Sequence, residues 1–270
     1  MNIYEREMLK ILKVGKKKYG FVGVKAEFEA EGTRSDEFLR LLEITRRADL
    51  DVALKIGGGE AIRDLMEAKQ YGVDYIIAPM LETPYAVKKY IEACEKVYSK
   101  DEFIDTDFLF NLETITSYNN VEEILSIASA SKIIKGIVFG RVDFSLSQGL
   151  SRADINSNKI ETFCCDVAQK CKDNKLQLVV GGGVSIDGLT GLINIKNVHL
   201  DRFETRKIVF DASCLTQKDS HQGILHAVKF ELLWLKNKHQ YYANIAEEDN
   251  MRIAMLQARW DEAKLELAMS

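Results

Sequence analysis

Two stretches of this sequence end an apolar run on a carboxylate: FLFNLET at Glu113 and GIVFGRVDFS at Asp143. Between them, SYNNVEEILSIAS has helical spacing. In a parallel strand–helix–strand unit, both acids stand at the same end of neighbouring strands. Two acids aimed at one spot are the oxygen ligands that a hard divalent cation takes. Glu113 and Asp143 are therefore the candidate metal ligands. The plain alternative for each is a helix cap or an ion pair. For Glu113 that alternative has weight, because Thr114, Thr116 and Asn120 crowd the same turn.

Other expected strand ends also carry reactive types. GFVGVKAEFE ends near Glu27 and Glu29, and LDVALKIGGG ends on Lys55 followed by Gly57, Gly58 and Gly59. YIIAPM runs into Pro79, and LQLVVGGG ends at Gly181 to Gly183. Lys55 suits a substrate carboxylate or a developing enolate. With its pKa lowered by burial, it would instead be a Schiff-base nucleophile. An ion pair with Glu27 or Glu29 is its structural alternative. Arg141, two residues before Asp143, is placed on the same strand face as a helper or as a salt-bridge partner. Gly57, Gly58, Pro79 and Glu27 are expected to line the substrate pocket, with Glu29 as a candidate base. Arg206 lies at the active rim if HLDRFE is a strand and at the opposite rim if RKIVF is. The four histidines fall outside these ends, so no histidine base is expected.

The elements that must position these groups read in order as follows. Residues 3–14 have helical spacing. Ser35 is expected to cap a helix along Phe38, Leu41 and Leu42, and Gly72 to stop the next one. Thr83-Pro84 opens a helix with a cap and a proline in its first turn. Asn120 and Glu123 form a capping-box-like start. Seven strands are clear, each followed by a helix through a short linker. That alternation means a parallel sheet covered on both faces. At this length the best match is an α/β (β/α)8 TIM barrel with some irregularity. The eighth strand is open: HLDRFE and RKIVF pair as a hairpin, or the N-terminal segment fills the gap. A doubly wound open sheet competes, but neither GGGEAI nor GGGVSI supplies the dinucleotide fingerprint.

The barrel is assigned to residues 1–217 and a helical extension to 218–270. In the extension, Ile224, Leu225, Val228, Leu232 and Leu235 form one stripe. Ile253, Leu256, Trp260, Ala263 and Leu267 form another with roughly heptad spacing. The extension packs on its own barrel or makes a subunit contact.

The 270 residues are 46% hydrophobic with a net charge of -4, enough apolar content for a full core and the wrong sign for a nucleic-acid partner. No window has the length of a membrane span and the N-terminus is charged, so a cytoplasmic protein is expected. The five cysteines lack C-x-x-C spacing; Cys94, Cys164 and Cys171 fall on apolar helical stripes and read as reduced core residues.

The run IRDLMEAKQYGVDYIIAPMLETPYAVKKYIEA, then FNLET, then GIVFGRVDFSLSQG, resembles the HpcH/HpaI aldolase and citrate lyase beta-chain family of phosphoenolpyruvate/pyruvate-type barrels. The resemblance spans roughly residues 21–190. It implies Mg2+ or Mn2+ held by Glu113 and Asp143, a 2-oxo acid substrate with an aldehyde or acyl partner, and a trimer or hexamer whose late helices pack between subunits. Three positions depart from the family pattern. Lys55 stands where the family has an enolate-gripping arginine. No histidine stands near Glu29. Arg141 replaces a usual proline. The expected activity is a metal-dependent carbon–carbon lyase or aldolase acting through an enolate. A Schiff-base lyase on Lys55 and a non-catalytic barrel that binds a small acid or assembles through its tail are the competing readings.

Overall fold

A computed structural model describes residues 1–269. The chain opens with helix α1 (Ile3–Lys18), held at its start by a capping box between Asn2 and Glu5. The alternation then runs β1 (Phe21–Glu27), α2 (Ser35–Arg47), β2 (Asp51–Lys55), α3 (Ile62–Tyr71), β3 (Tyr75–Ala78), α4 (Pro84–Val97) and β4 (Asp107–Leu112). It continues with α5 (Ile115–Asn119), α6 (Val121–Ser131), β5 (Ile134–Gly140), α7 (Arg141–Ser147), α8 (Asn158–Asp173) and β6 (Gln177–Gly181). The chain finishes with α9 (Leu189–Val198), β7 (Arg202–Glu204), β8 (Ile208–Asp211) and α10 (Ser220–Met269).

The eight strands close into a barrel in sequence order. From β1 to β7 every neighbouring pair is parallel. Strand β8 is antiparallel to both β7 and β1. HLDRFE and RKIVF are thus two strands of one hairpin, and the N-terminal segment is a helix. Only Thr205, Arg206 and Lys207 separate β7 from β8, too few residues for a crossover between parallel strands. Thr205 pins the turn: its N–H donates to the Ile208 carbonyl (2.9 Å), and its hydroxyl accepts from the Ile208 N–H (3.1 Å).

Side chains alternate across each strand. Ala53, Ile77, Leu109, Val138, Val179 and Val209 point inward and pack as a dry plug across the barrel. The cylinder is filled rather than open. One layer higher, two residues along each strand, the sequence places Lys55, Pro79, Asn111, Gly140 and Gly181. On reversed β8 the equivalent residue is Lys207. The main core lies outside the cylinder, between strands and helices, with Phe108, Phe110, Phe139, Phe203 and Phe210 fully buried.

Several local expectations hold. Thr83 caps α4 with Pro84 in the first turn, Gly72 ends α3 in the left-handed conformation, and Cys94, Cys164 and Cys171 are buried free thiols. Others shift. Arg34 rather than Ser35 is the N-cap of α2, and Asn120 makes no side-chain cap on α6. The strand that was to reach Asp143 stops at Gly140, and Arg141 to Ser147 form a short helix. The stripe Leu225, Val228, Leu232, Leu235 faces solvent. The body is met instead by Gly223, Ile224, Ala227, Phe230, Leu233 and Trp234. The expected stripe was offset by one position because a face rich in Leu and Val outweighs one built on Gly, Ala and Trp.

Candidate active site at the carboxyl rim

Lys55 ends β2 and its side chain is buried. Its Nζ lies 3.3 Å from Glu29 and 3.7 Å from Glu113. Glu113 follows the last residue of β4 and is 2% exposed. It accepts from the Met80 N–H at 3.1 Å and from the side-chain amide of Asn111. Asn111 is the inward residue one pleat below, and its own Oδ1 is buried without a partner among the described residues. Met80 adopts φ 53°, a left-handed backbone that turns its N–H toward the carboxylate.

Gly140 leaves room for this carboxylate. A Cβ there would come within 2.8 Å of Glu113 Oε2 and 2.9 Å of its Cβ. Burial pushes Glu113 above the ordinary carboxylate value; Lys55, Asn111 and the Met80 N–H oppose the shift, and the Asp143 charge adds to it. Asp143 sits in the first turn of α7, exposed at the mouth. The two acids thus repel across one space, and a cation placed there would relieve both. Mg2+ and Mn2+ keep several waters and take one or two protein carboxylates, so this donor set fits them. Zinc is a poor fit: among the described residues no three His, Cys, Asp or Glu side chains gather into a ligand cluster.

The floor beside this pair is a second ionic group. Lys25 Nζ is 3.1 Å from Glu27 and also pairs with Glu204. Burial opposes the Lys25 charge, yet Glu204 and Glu27 outweigh it and hold its pKa above the usual lysine value. Burial likewise pulls Glu27 up, but Lys25, with Lys55 and Arg206 behind it, brings it down overall. Glu27 is therefore a framework residue, locked to Lys25. Arg206, in the β7–β8 turn, is at the active rim, 3.6 Å from Glu31 and half-exposed. Lys207 beside it is buried against Glu31 and the Trp234 ring.

A groove of about 470 Å3 has Glu29, the ion-pair partner of Lys55, in its wall. It is lined by Glu29, Gly57, Gly58, Pro79 and Met80, with Tyr85 and Lys89 at its outer edge. The structure therefore brings Lys55 within ion-pair reach of Glu29 and Glu113 and sets Glu29 beside Gly57, Gly58 and Pro79 in the groove wall, while Asp143 is near enough to act on Glu113 as a like charge. Arg141 does not join. It begins α7 instead of lying on a strand face, and its guanidinium bonds the Gly181 carbonyl (3.3 Å) and Asn156 Oδ1 (3.0 Å), outside the barrel wall. Sequence reading missed Lys25, Asn111, Glu204 and Lys207. Lys25 and Asn111 stand two residues before Glu27 and Glu113, so strand alternation carried the signal for both.

A sequence profile for HpcH/HpaI aldolase/citrate lyase matches residues 37–187, more than half of the chain. The chain belongs to the HpcH/HpaI aldolase/citrate lyase family. It is an enzyme of the carbon–carbon lyase kind. Solved structures share the fold at low identity. An HpcH/HpaI aldolase from Desulfitobacterium hafniense superposes with TM-score 0.59 at 10% identity, over 76% of this chain and 83% of that one. An HpcH/HpaI aldolase/citrate lyase family protein from Burkholderia cenocepacia gives 0.58 at 12%, over 83% and 90%. The citrate synthase SbnG gives 0.56 at 13%, over 86% and 90%. No curated protein sequence matches the chain. No helix among the described residues is long and apolar enough to cross a membrane.

Proposed function

We propose that this family member cleaves or forms a carbon–carbon bond next to the carbonyl of a 2-oxo acid, such as pyruvate or oxaloacetate, through its enolate. The observation that carries the reading is one buried cation, Lys55, held between Glu113 and Glu29, of which Glu29 is in the groove wall. The 2-oxo acid enters along Gly57, Gly58 and Pro79, where missing side chains let its carboxylate approach the backbone. Lys55 stabilises negative charge as it develops on the carbonyl oxygen, in a water-poor site where that charge is worth most. Glu29, exposed at the groove wall, takes the proton from carbon and returns it. Glu113 and Asp143 would hold a divalent cation, which supplies electrophilic polarisation of the substrate oxygens. Lys25, Glu27 and Glu204 fix the floor. Lys55, paired with two carboxylates, suits a standing charge better than a free amine nucleophile, which favours the enolate route over a Schiff base.

The test is exchange of the pyruvate methyl protons in deuterated buffer, with Mg2+ or Mn2+ and with chelator. Metal-dependent exchange that Lys55→Met slows by about 10²–10³-fold is the expected result. Exchange indifferent to metal, together with borohydride trapping on Lys55, would move the assignment to a Schiff-base enzyme. No exchange with any divalent ion counts for a non-catalytic barrel.

We also infer self-association through α10. The exposed residues Leu225, Val228, Leu232 and Leu235 follow a heptad register that Ile253, Leu256 and Trp260 take up again; between them His239, Ala246 and Asp249 interrupt it, and Tyr242 packs on Arg34 and Glu37 of its own chain. Two exposed apolar segments at 3.5-residue spacing are the pattern of a helix that pairs with a like helix. The occupant proposed is a second copy of the chain, in a trimer or a larger ring.

A further inference from the structure

Arg141 is 3% exposed, and its Nη2 meets no acceptor among the described residues. Its two hydrogen bonds go to neutral oxygens, on Gly181 and Asn156. No carboxylate among the described residues acts on it. Burial pulls its pKa down, and the single opposing influence is the Cys164 thiol. A buried cation with no counter-charge is costly, and proteins ordinarily supply one. Here the guanidinium borders a cavity of about 180 Å3 between the barrel wall, α8 and α9, outside the site already described. That volume is room for about six waters by liquid density.

The cavity is bracketed by two helix starts. Asn158 is the first residue of α8, and Gly188, Thr190 and Gly191 form the start of α9. Both helices are long enough to present a partial positive charge at those ends. Gly188 leaves room in this lining: a Cβ there would come within 2.9 Å of Asn156 Oδ1 and 3.6 Å of Arg141 Nη1. Two acids also border the cavity. Glu161 spends one oxygen on the Asn194 amide (2.8 Å), and Asp187 is exposed. Neither reaches Arg141, and together they disfavour a highly charged guest.

We propose that this cavity is a binding site for a single small oxyanion group, a carboxylate or a phosphate, gripped by the Arg141 guanidinium at the converging starts of α8 and α9. The inference does not rest on the lyase reading. It concerns a wall of the barrel that the reaction does not use. The planar fork of arginine matches both oxyanions bidentately.

The test measures thermal unfolding and titration calorimetry of the full chain with inorganic phosphate and, separately, acetate. Chloride at matched ionic strength is the control. The expected result is a saturable rise in Tm with at least one of the two oxyanions, beyond any effect of chloride. A phosphate-only or acetate-only response assigns the guest's chemistry. Arg141→Lys keeps the charge but loses the fork, and should weaken binding at least tenfold. Asn156→Asp places a carboxylate where Arg141 Nη1 already donates. It should raise the Tm in oxyanion-free buffer and suppress the response, which keeps the test decisive if an Arg141 variant folds poorly. The proposal is overturned if both oxyanions act only as chloride does, or if Arg141→Lys and Asn156→Asp respond as the parent chain does.

Discussion

Lys55 Nζ lies 3.7 Å from Glu113 Oε2, although β3 stands between their two strands. The pair meets over the end of β3, whose Met80 N–H binds the other Glu113 oxygen. Three consecutive strands are thereby tied at one point, and that point borders the groove. Removing the charge of Lys55 should therefore damage turnover more than folding. Lys55→Met is expected to lower kcat for methyl-proton exchange by about 10²–10³-fold, the usual effect of losing one preorganised electrostatic contact. Lys55→Arg, which restores the charge, should recover part of the loss.

Glu113 gives a pH signature of its own. Burial raises its folded-state pKa above the ordinary 4.5. Between those two values the native state binds more protons than the unfolded state. The Glu113 contribution to stability therefore falls as pH rises through that window, and the cost is fully present above it. Denaturant unfolding of wild type and Glu113→Gln from pH 4 to 8 should show the variant gaining stability relative to wild type as pH increases. Saturating Mg2+ should remove most of that gain, because a bound cation would favour the ionised form.

Gly140 is a steric test. A methyl group there meets Glu113 at 2.8–2.9 Å, and φ at this position is -88°, so strain comes from contact alone. Gly140→Ala should cost about 1–3 kcal/mol by overpacking. It should also weaken the activating effect of Mg2+ by displacing the carboxylate. Paired denaturation curves and metal titrations of activity check both.

The Lys25 cluster should behave as structure rather than catalysis. Lys25→Met leaves Glu27 and Glu204 buried without their shared cation, a loss of about 3–5 kcal/mol. Lys25→Met with Glu204→Gln should recover much of the stability. Urea midpoints of the single and double variants decide it.

For the tail, Leu232→Asp with Trp260→Asp should turn an oligomer into a monomer by light scattering, while far-ultraviolet circular dichroism stays unchanged. A parent chain that is monomeric at micromolar concentration would remove the self-association proposal.

Much of the barrel was legible because strand and helix periods differ and the linkers are short. Lys55, Glu113 and the glycines were found because apolar runs end on them. Arg141 was misplaced for a physical reason: GIVFGRVDF reads as one extended run, but Gly140 breaks it and Asp143 favours a first helical turn, so residue 141 rotates off the inner face. Lys25 and Lys207 were hidden because a lysine inside a barrel looks, in sequence, like one on its surface. Only the closed geometry, with Glu204 arriving from the far end of the chain, supplies its partner.

The reversal of β8 carries through to the last helix. Because that strand descends, α10 starts at the base: Gly223 packs on Tyr19, at the end of α1. It then climbs, so that Asn237 meets Asn2 and Tyr242 meets Glu37, at the first turn of α2. The remaining shaft, about 40 Å at 1.5 Å per residue, is exposed along its length and runs on past the carboxyl rim. In a barrel whose final strand ascended, the closing helix would end below. Here the closing helix runs past the carboxyl rim instead, so any neighbour it gripped would be held on the side of the barrel where Lys55 and Glu113 lie.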